Sequence, residues 1–169
     1  MVTTVYIGLG SNLGHPRRHL ARAGAEIARL PRTRLLELSP NYASAPLGCA
    51  EPQPDYVNAA AALRTSLGPR ALLTRLRAIE RRHGRRRHGA DTRNAPRTLD
   101  LDVLLFGRRR LRLRELTVPH PHMHQRAFVL APLLDIAPAV RIPGRGSARR
   151  WLRQARGQRV ARTRTHSRR

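Results

Sequence analysis

Apolar and polar positions alternate along this chain with two periods, and the switch points outline its elements. Residues 2–9, VTTVYIGL, form an apolar run that ends in GSNLG, whose Gly, Ser and Asn favour a turn, so a first strand is predicted there. Behind Pro16, residues Leu20, Ala23, Ile27 and Leu30 recur at helical spacing and predict a helix through residue 30. TRLLELSPNYASA, 33–45, reads as a second strand broken at Pro40, and the proline-rich PLGCAEPQPD as a loop. YVNAAAALRTSL, 56–67, reads as a third strand that Gly68 and Pro69 stop. Leu72, Leu73, Leu76 and Ile79 then form the apolar stripe of a second helix. Residues 81–94, RRHGRRRHGADTRN, have almost no apolar content and read as a basic, mobile loop. A strand through Asp100 follows and turns at Gly107 into a basic hairpin, RRRLRLRELTV. A loop, PHPHMHQ, leads to a short helix in RAFVLAPLLDIAP that ends before Pro138.

The order strand, helix, strand, strand, helix, strand matches the split β-α-β arrangement of an α+β ferredoxin-like sandwich, a mainly antiparallel sheet flanked by helices. With 169 residues the chain suits one domain. We expect that domain to span residues 1–150. The arginine-rich segment 151–169 reads as a C-terminal tail with one amphipathic turn around Trp151 and Leu152, and is otherwise expected to be flexible.

Charge sharpens this outline. The chain has 34 basic residues against ten acidic ones, a formal charge of +24, and every basic residue is arginine. Without lysine there is neither a Schiff-base lysine nor a Walker A loop, so any phosphate chemistry falls to arginine. Such a charge suits an anionic partner, either nucleic acid or a phosphate-rich metabolite. An aromatic content of 4% is thin for base-stacking platforms, so no specific nucleic-acid partner is expected. The one cysteine, Cys49, excludes an internal disulfide and reads as incidental. No apolar run approaches a membrane span, so no membrane partner is expected, and a cytoplasmic location is.

Two of the ten acidic residues, Asp100 and Asp102, stand inside the apolar run of APRTLDLDVLLFG, 95–107. In a strand they share one face. Two such carboxylates need a cation between them, either neighbouring arginines or one or two Mg²⁺ ions whose remaining ligands come from phosphates and water. Arg97 lies three residues before Asp100, and Arg85, Arg86 and Arg87 lie in the preceding basic loop. Carboxylates for metal beside arginines for phosphate form a phosphoryl-transfer set. A nucleotidyltransferase also pairs Gly-Ser with Asp-x-Asp, but its carboxylates follow the turn closely, whereas here about half the chain intervenes. His120, His122 and His124 in H-x-H-x-H hint at a transition-metal site, without cysteine or carboxylate partners nearby.

YIGLGSNLG, APLG followed by QPDYVNAA, IERRHGR, NAPRTLDLDVLLFG and ELTVPHPHMHQRAFVLAPLLDIAP occur in this order over residues 5–138. Together they resemble the 6-hydroxymethyl-7,8-dihydropterin pyrophosphokinase family of folate biosynthesis. The resemblance implies a ferredoxin-like monomer that transfers pyrophosphate from ATP to the hydroxymethyl group of the pterin and releases AMP. It implies two Mg²⁺ ions held by Asp100 and Asp102, with Arg85 and Arg97 acting on the phosphates during transfer. Glu80, Arg87, Thr117, His120 and Arg126 match the family's ATP-site stretches. Tyr56 and Phe128 match the aromatic walls of its pterin pocket, and Ser44, Leu47 and Asn58 match positions on the pterin edge. The chain departs from the pattern at Asn94, where some members carry a lid tryptophan, in a loop from Gly84 to Arg97 about two residues longer than theirs.

Overall fold

The computed structural model describes residues 1–49, 51–85 and 95–164. Five strands give the sheet its frame: β1 (Thr3–Ser11), β2 (Thr33–Leu38), β3 (Tyr42–Ser44), β4 (Tyr56–Thr65) and β5 (Asp100–Phe106). A late strand, β10 (Val160–Arg162), completes it. The order is β10-β3-β4-β1-β5, with β2 also paired to β4, and every pairing is antiparallel. Residue Pro40 interrupts what would be one strand, so β2 and β3 pair in turn along β4.

Helices α1 (Pro16–Ala28) and α2 (Pro69–Arg82) each open on a proline, where the missing N–H costs nothing. They bury Leu20, Ile27, Leu72, Leu76 and Ile79 against Val5, Ile7, Leu9, Ala61 and Leu63 on one face of the sheet. On the other face α3 (Ala127–Ile136) and α4 (Ala148–Gln154) pack Leu130, Leu133 and Ala148 against Ala60, Leu104 and Leu105. Two ribbons, β6 (Leu111–Arg112) with β7 (Thr117–Val118) and β8 (Arg141–Ile142) with β9 (Gly146–Ser147), complete the described elements.

Up to α3 the strands and helices follow the sequence pattern with differences at their ends, whereas the β8–β9 ribbon was not expected. β1 continues to Ser11, α1 stops at Ala28 and β4 stops at Thr65. The larger difference is the arginine-rich segment expected to be a flexible tail from residue 151. Through residue 164 it is built into the domain: Trp151 packs edge-on against His124 with ring centroids 4.9 Å apart, and β10 hydrogen-bonds along β3. Strand β3 would otherwise be an open sheet edge, and that unpaired backbone recruits the tail. Residues 86–94 of the expected mobile loop lie outside the described residues.

Candidate active site

Register places the chemistry. Gly10 of β1 lies opposite Asn58 of β4 on one side and Asp100 of β5 on the other, and Gly8 lies opposite Asp102. The polar residues of β4 and the carboxylates of β5 therefore share one sheet face, separated by a strand with no side chains there. A Cβ on Gly10 would stand 3.2 Å from Asn58 Oδ1, so glycine is what keeps this floor open. Above the floor lies an open cleft. Ser44, Leu47, Tyr56, Asn58 and Phe128 line one part of it, and Arg97, Asp100, Asp102, His120 and Arg126 line the other.

The apolar end sets two aromatic rings, Tyr56 and Phe128, beside the polar pair Ser44 and Asn58. Asn58 donates from Nδ2 to Ser44 Oγ at 2.8 Å, which fixes the amide orientation. Tyr56 donates its hydroxyl to Ala95 O at 3.3 Å, and burial pushes its pKa up, so it stays a neutral phenol. Opposite, the Arg126 guanidinium sits 5.7 Å from the Phe128 ring centroid.

The charged end is a chain of ion pairs. Glu80, on α2 beneath the sheet, accepts the Leu101 N–H at 2.8 Å and pairs with Arg85 at 2.9 Å. Arg85 also donates to Asp100 Oδ1 and to Leu99 O, and Arg97 reaches Asp100 Oδ2 at 2.5 Å. Burial alone would raise the Asp100 pKa, but Arg97 and Arg85 outweigh it and hold the carboxyl below its ordinary value. Asp102 makes no ion pair or hydrogen bond among the described residues. Burial, then the negative charges of Asp100 and Glu80, push its pKa up to about 7. His120 accepts the His122 N–H at Nδ1, leaving Nε2 to carry the hydrogen; burial and then Arg126 bring its pKa down to about 4.

The family model for 7,8-dihydro-6-hydroxymethylpterin-pyrophosphokinase matches residues 6–138. The chain belongs to this family. It is 54% identical over 143 residues to the 2-amino-4-hydroxy-6-hydroxymethyldihydropteridine pyrophosphokinase of Pseudomonas aeruginosa, covering 85% of this chain and 86% of that one. To the Haemophilus influenzae enzyme of the same name it is 46% identical over 140 residues, 83% and 85% of the two chains. In fold it is similar to the Plasmodium falciparum HPPK-DHPS crystallised with pteroate, at a TM-score of 0.71 and 11% identity. That match covers 91% of this chain and 42% of the larger one, so the chain spans under half of that protein.

Within this pyrophosphokinase fold the expected residues do not all reach the cleft. Arg85 stands behind Asp100 and meets it through the ion pair. Glu80 is 1% exposed and lies under the strand, bonded to Arg85 and the Leu101 N–H, which makes it a brace for the Asp100 end of β5. Thr117 sits on β7 opposite Arg112 and does not line the cleft. Arg87 and Asn94 lie outside the described residues. Cys49, read as incidental, is on the cleft wall. Of the three histidines, His120 faces the cleft while His124 is buried against Trp151, and no cluster of three metal-ligating side chains occurs among the described residues.

Asn12 escaped the sequence reading. It accepts the Arg97 N–H at 2.8 Å and donates to Gln53 Oε1 and Pro54 O, each at 3.1 Å. One turn side chain thereby ties Arg97 to the loop that leads into Tyr56. Its only signal was the GSN turn, a common pattern.

Proposed function

We propose that this chain transfers the pyrophosphoryl group of ATP to the hydroxymethyl oxygen of 6-hydroxymethyl-7,8-dihydropterin, releasing AMP, as a magnesium-dependent step of folate biosynthesis. The observation that carries this reading is the single sheet face on which register sets Asn58 and Tyr56 beside Asp100 and Asp102 across Gly10. An acceptor pocket and a carboxylate pair meet there within one cleft.

The donor set fits magnesium. Asp100 and Asp102 offer only oxygen, and Asp102 is a partly buried carboxyl that makes no ion pair among the described residues, so a hard divalent cation relieves its repulsion with Asp100. Two Mg²⁺ would be held by this pair together with triphosphate oxygens; bound, they supply neutralisation of the phosphate charge. The protein's own residues do the positioning. Tyr56 and Phe128 sandwich the pterin, and Asn58, oriented by Ser44, hydrogen-bonds its edge beside Leu47. His120 and Arg126 donate to the triphosphate, while Thr117 and Arg87 are assigned to the nucleotide by family resemblance alone. The hydroxymethyl oxygen passes its proton to water and attacks the β-phosphorus, and the bond from that phosphorus to the α-phosphate oxygen breaks so that AMP leaves. Arg97 and Arg85, which neutralise Asp100 before ligands arrive, turn to the phosphate oxygens as charge develops. We take the working protein to be a monomer in the cytoplasm, where ATP and the pterin are at hand.

The test is direct. Purified protein with ATP, Mg²⁺ and the dihydropterin should yield AMP in step with pterin pyrophosphate. Asp100→Ala, or removal of Mg²⁺ with a chelator, should lower the rate by at least about a thousandfold. ADP in place of AMP would overturn the reading, because it places the attack on the γ-phosphorus.

A further inference from the structure

The arginine-rich C-terminal segment has no part in the reaction just described, yet its described portion runs along the cleft's supports. Helix α3 begins at Ala127 with Arg126 as its N-cap, a residue that gives no capping hydrogen bond. Gln158 takes that role from outside the helix. Its Oε1 accepts the Ala127 N–H at 2.9 Å, and its Nε2 donates to Gln125 O at 2.7 Å. The two bonds bracket Arg126 and fix the backbone from which both Arg126 and Phe128 project. The next residue, Arg159, donates to both oxygens of Asp55 at 3.0 Å, and Asp55 immediately precedes Tyr56. Strand β10 follows, with Val160 opposite Ser44 and Arg162 opposite Tyr42, and the Thr163 N–H donates to Asn41 O at 2.8 Å.

We propose that residues 158–163 form a strap that holds the cleft's walls in register, with Gln158 the positioning residue for Arg126 and Phe128. Three separate pieces of the wall, from α3, β3 and the loop before β4, are tied to one short run of chain. Gln158 carries the effect, because its bonds hold the backbone between two wall residues. The Arg159–Asp55 pair is solvent-exposed and is worth little. The strap rests on the pyrophosphokinase reading above and adds to it a residue that touches neither substrate.

Gln158→Met keeps the side chain's length and removes both hydrogen bonds. Steady-state kinetics of the full chain, with pterin fluorescence titration and thermal melting alongside, should show KM and Kd for the dihydropterin raised about tenfold, the scale of two lost hydrogen bonds. At assay temperature the variant should remain folded. Gln158→Glu keeps the acceptor for the Ala127 N–H at a helix N-terminus but sets a carboxylate oxygen against Gln125 O, so it should recover only part of that loss. Arg153→Ala, on an exposed turn of α4, should leave all parameters unchanged. Unchanged pterin KM and Kd in Gln158→Met, with or without a lower Tm, would overturn the strap, since a merely structural residue moves only the Tm. Failure of the parent protein to turn over at all would instead strike at the pyrophosphokinase reading.

Discussion

Asp102 shows how a site residue is held against the fold's own interest. Its pKa is raised from 3.8 in a free side chain to about 7 by burial and by Asp100 and Glu80. A carboxyl raised in this way favours the folded state fully below the unfolded value, and loses that contribution as pH climbs through the folded value. Above pH 7, without a metal ion, Asp102 therefore carries a charge that Arg97 and Arg85 compensate only in part. Asp102→Asn should abolish turnover, yet raise stability in chelator at pH 8 by on the order of 1 kcal/mol, ~3 °C in Tm for a chain of this size. At pH 5 the gap should narrow, and below pH 3.8 it should close, because the native and the unfolded carboxyl are then both protonated. Melting curves at the two pH values decide it, and an Asn variant less stable than the parent at pH 8 would refute the account. Asp100 is the contrast: two arginines already satisfy it.

At the scale of elements, the two helices beneath the sheet are joined by a polar relay. Glu26 of α1 accepts from Arg82 at 2.9 Å and from His83 Nε2 at 2.8 Å, and His83 Nδ1 meets His19 Nδ1 at 2.8 Å. With Nε2 of His83 donating, its Nδ1 accepts from His19. Burial pulls the Glu26 pKa up, but the bonds from His83 and Arg82 prevail and bring it below 4.5. Its stabilising effect is thus present above pH 4.5 and lost as pH falls through the lowered value. Glu26→Gln should cost about 1 kcal/mol at pH 7 and progressively less in acid, as read from denaturant unfolding at a series of pH values. A cost that stays constant down to pH 3 would show that the charge is not what matters. This relay ends at His83, two residues before Arg85, so it steadies the base from which that arginine reaches Asp100. None of it was legible in the sequence, because His19 and His83 meet only when α1 and α2 pack side by side. The elements themselves were legible: period-two and period-3.6 patterns and the breaks at Pro40 and Gly68-Pro69 depend on local chemistry. Strand β10 was not, since VAR among arginines has no apolar pattern and pairs only because β3 offers an edge. The same division holds in the cleft. Asp100 and Asp102 declared themselves by standing in an apolar run, whereas Glu80 as a brace, Asn12 and Gln158 act through backbone groups distant in sequence.

The whole molecule is a cation of formal charge +24, and half of its ten acidic residues are paired among the described residues. Glu26, Asp55, Glu80, Asp100 and Glu115 are each in an ion pair with arginine. Exposed arginines stand on every side instead: Arg17, Arg18 and Arg22 on α1, Arg75 and Arg81 on α2, Arg108 to Arg110 after β5, Arg149 and Arg153 on α4. A field spread in this way draws ATP toward the cleft and also draws any polyanion toward the surface without reading its sequence. The protein should therefore bind two unrelated DNA duplexes equally at ~50 mM salt, and lose at least about a hundredfold in affinity by ~200 mM. Fluorescence anisotropy across that salt range measures both features. A preference of about tenfold for one duplex, or binding that survives the salt, would mean that some of these arginines form a true nucleic-acid site. Equal, salt-labile binding would leave the charge as a background against which the two arginines at Asp100, tied down by neighbours and partly buried, do the specific chemistry.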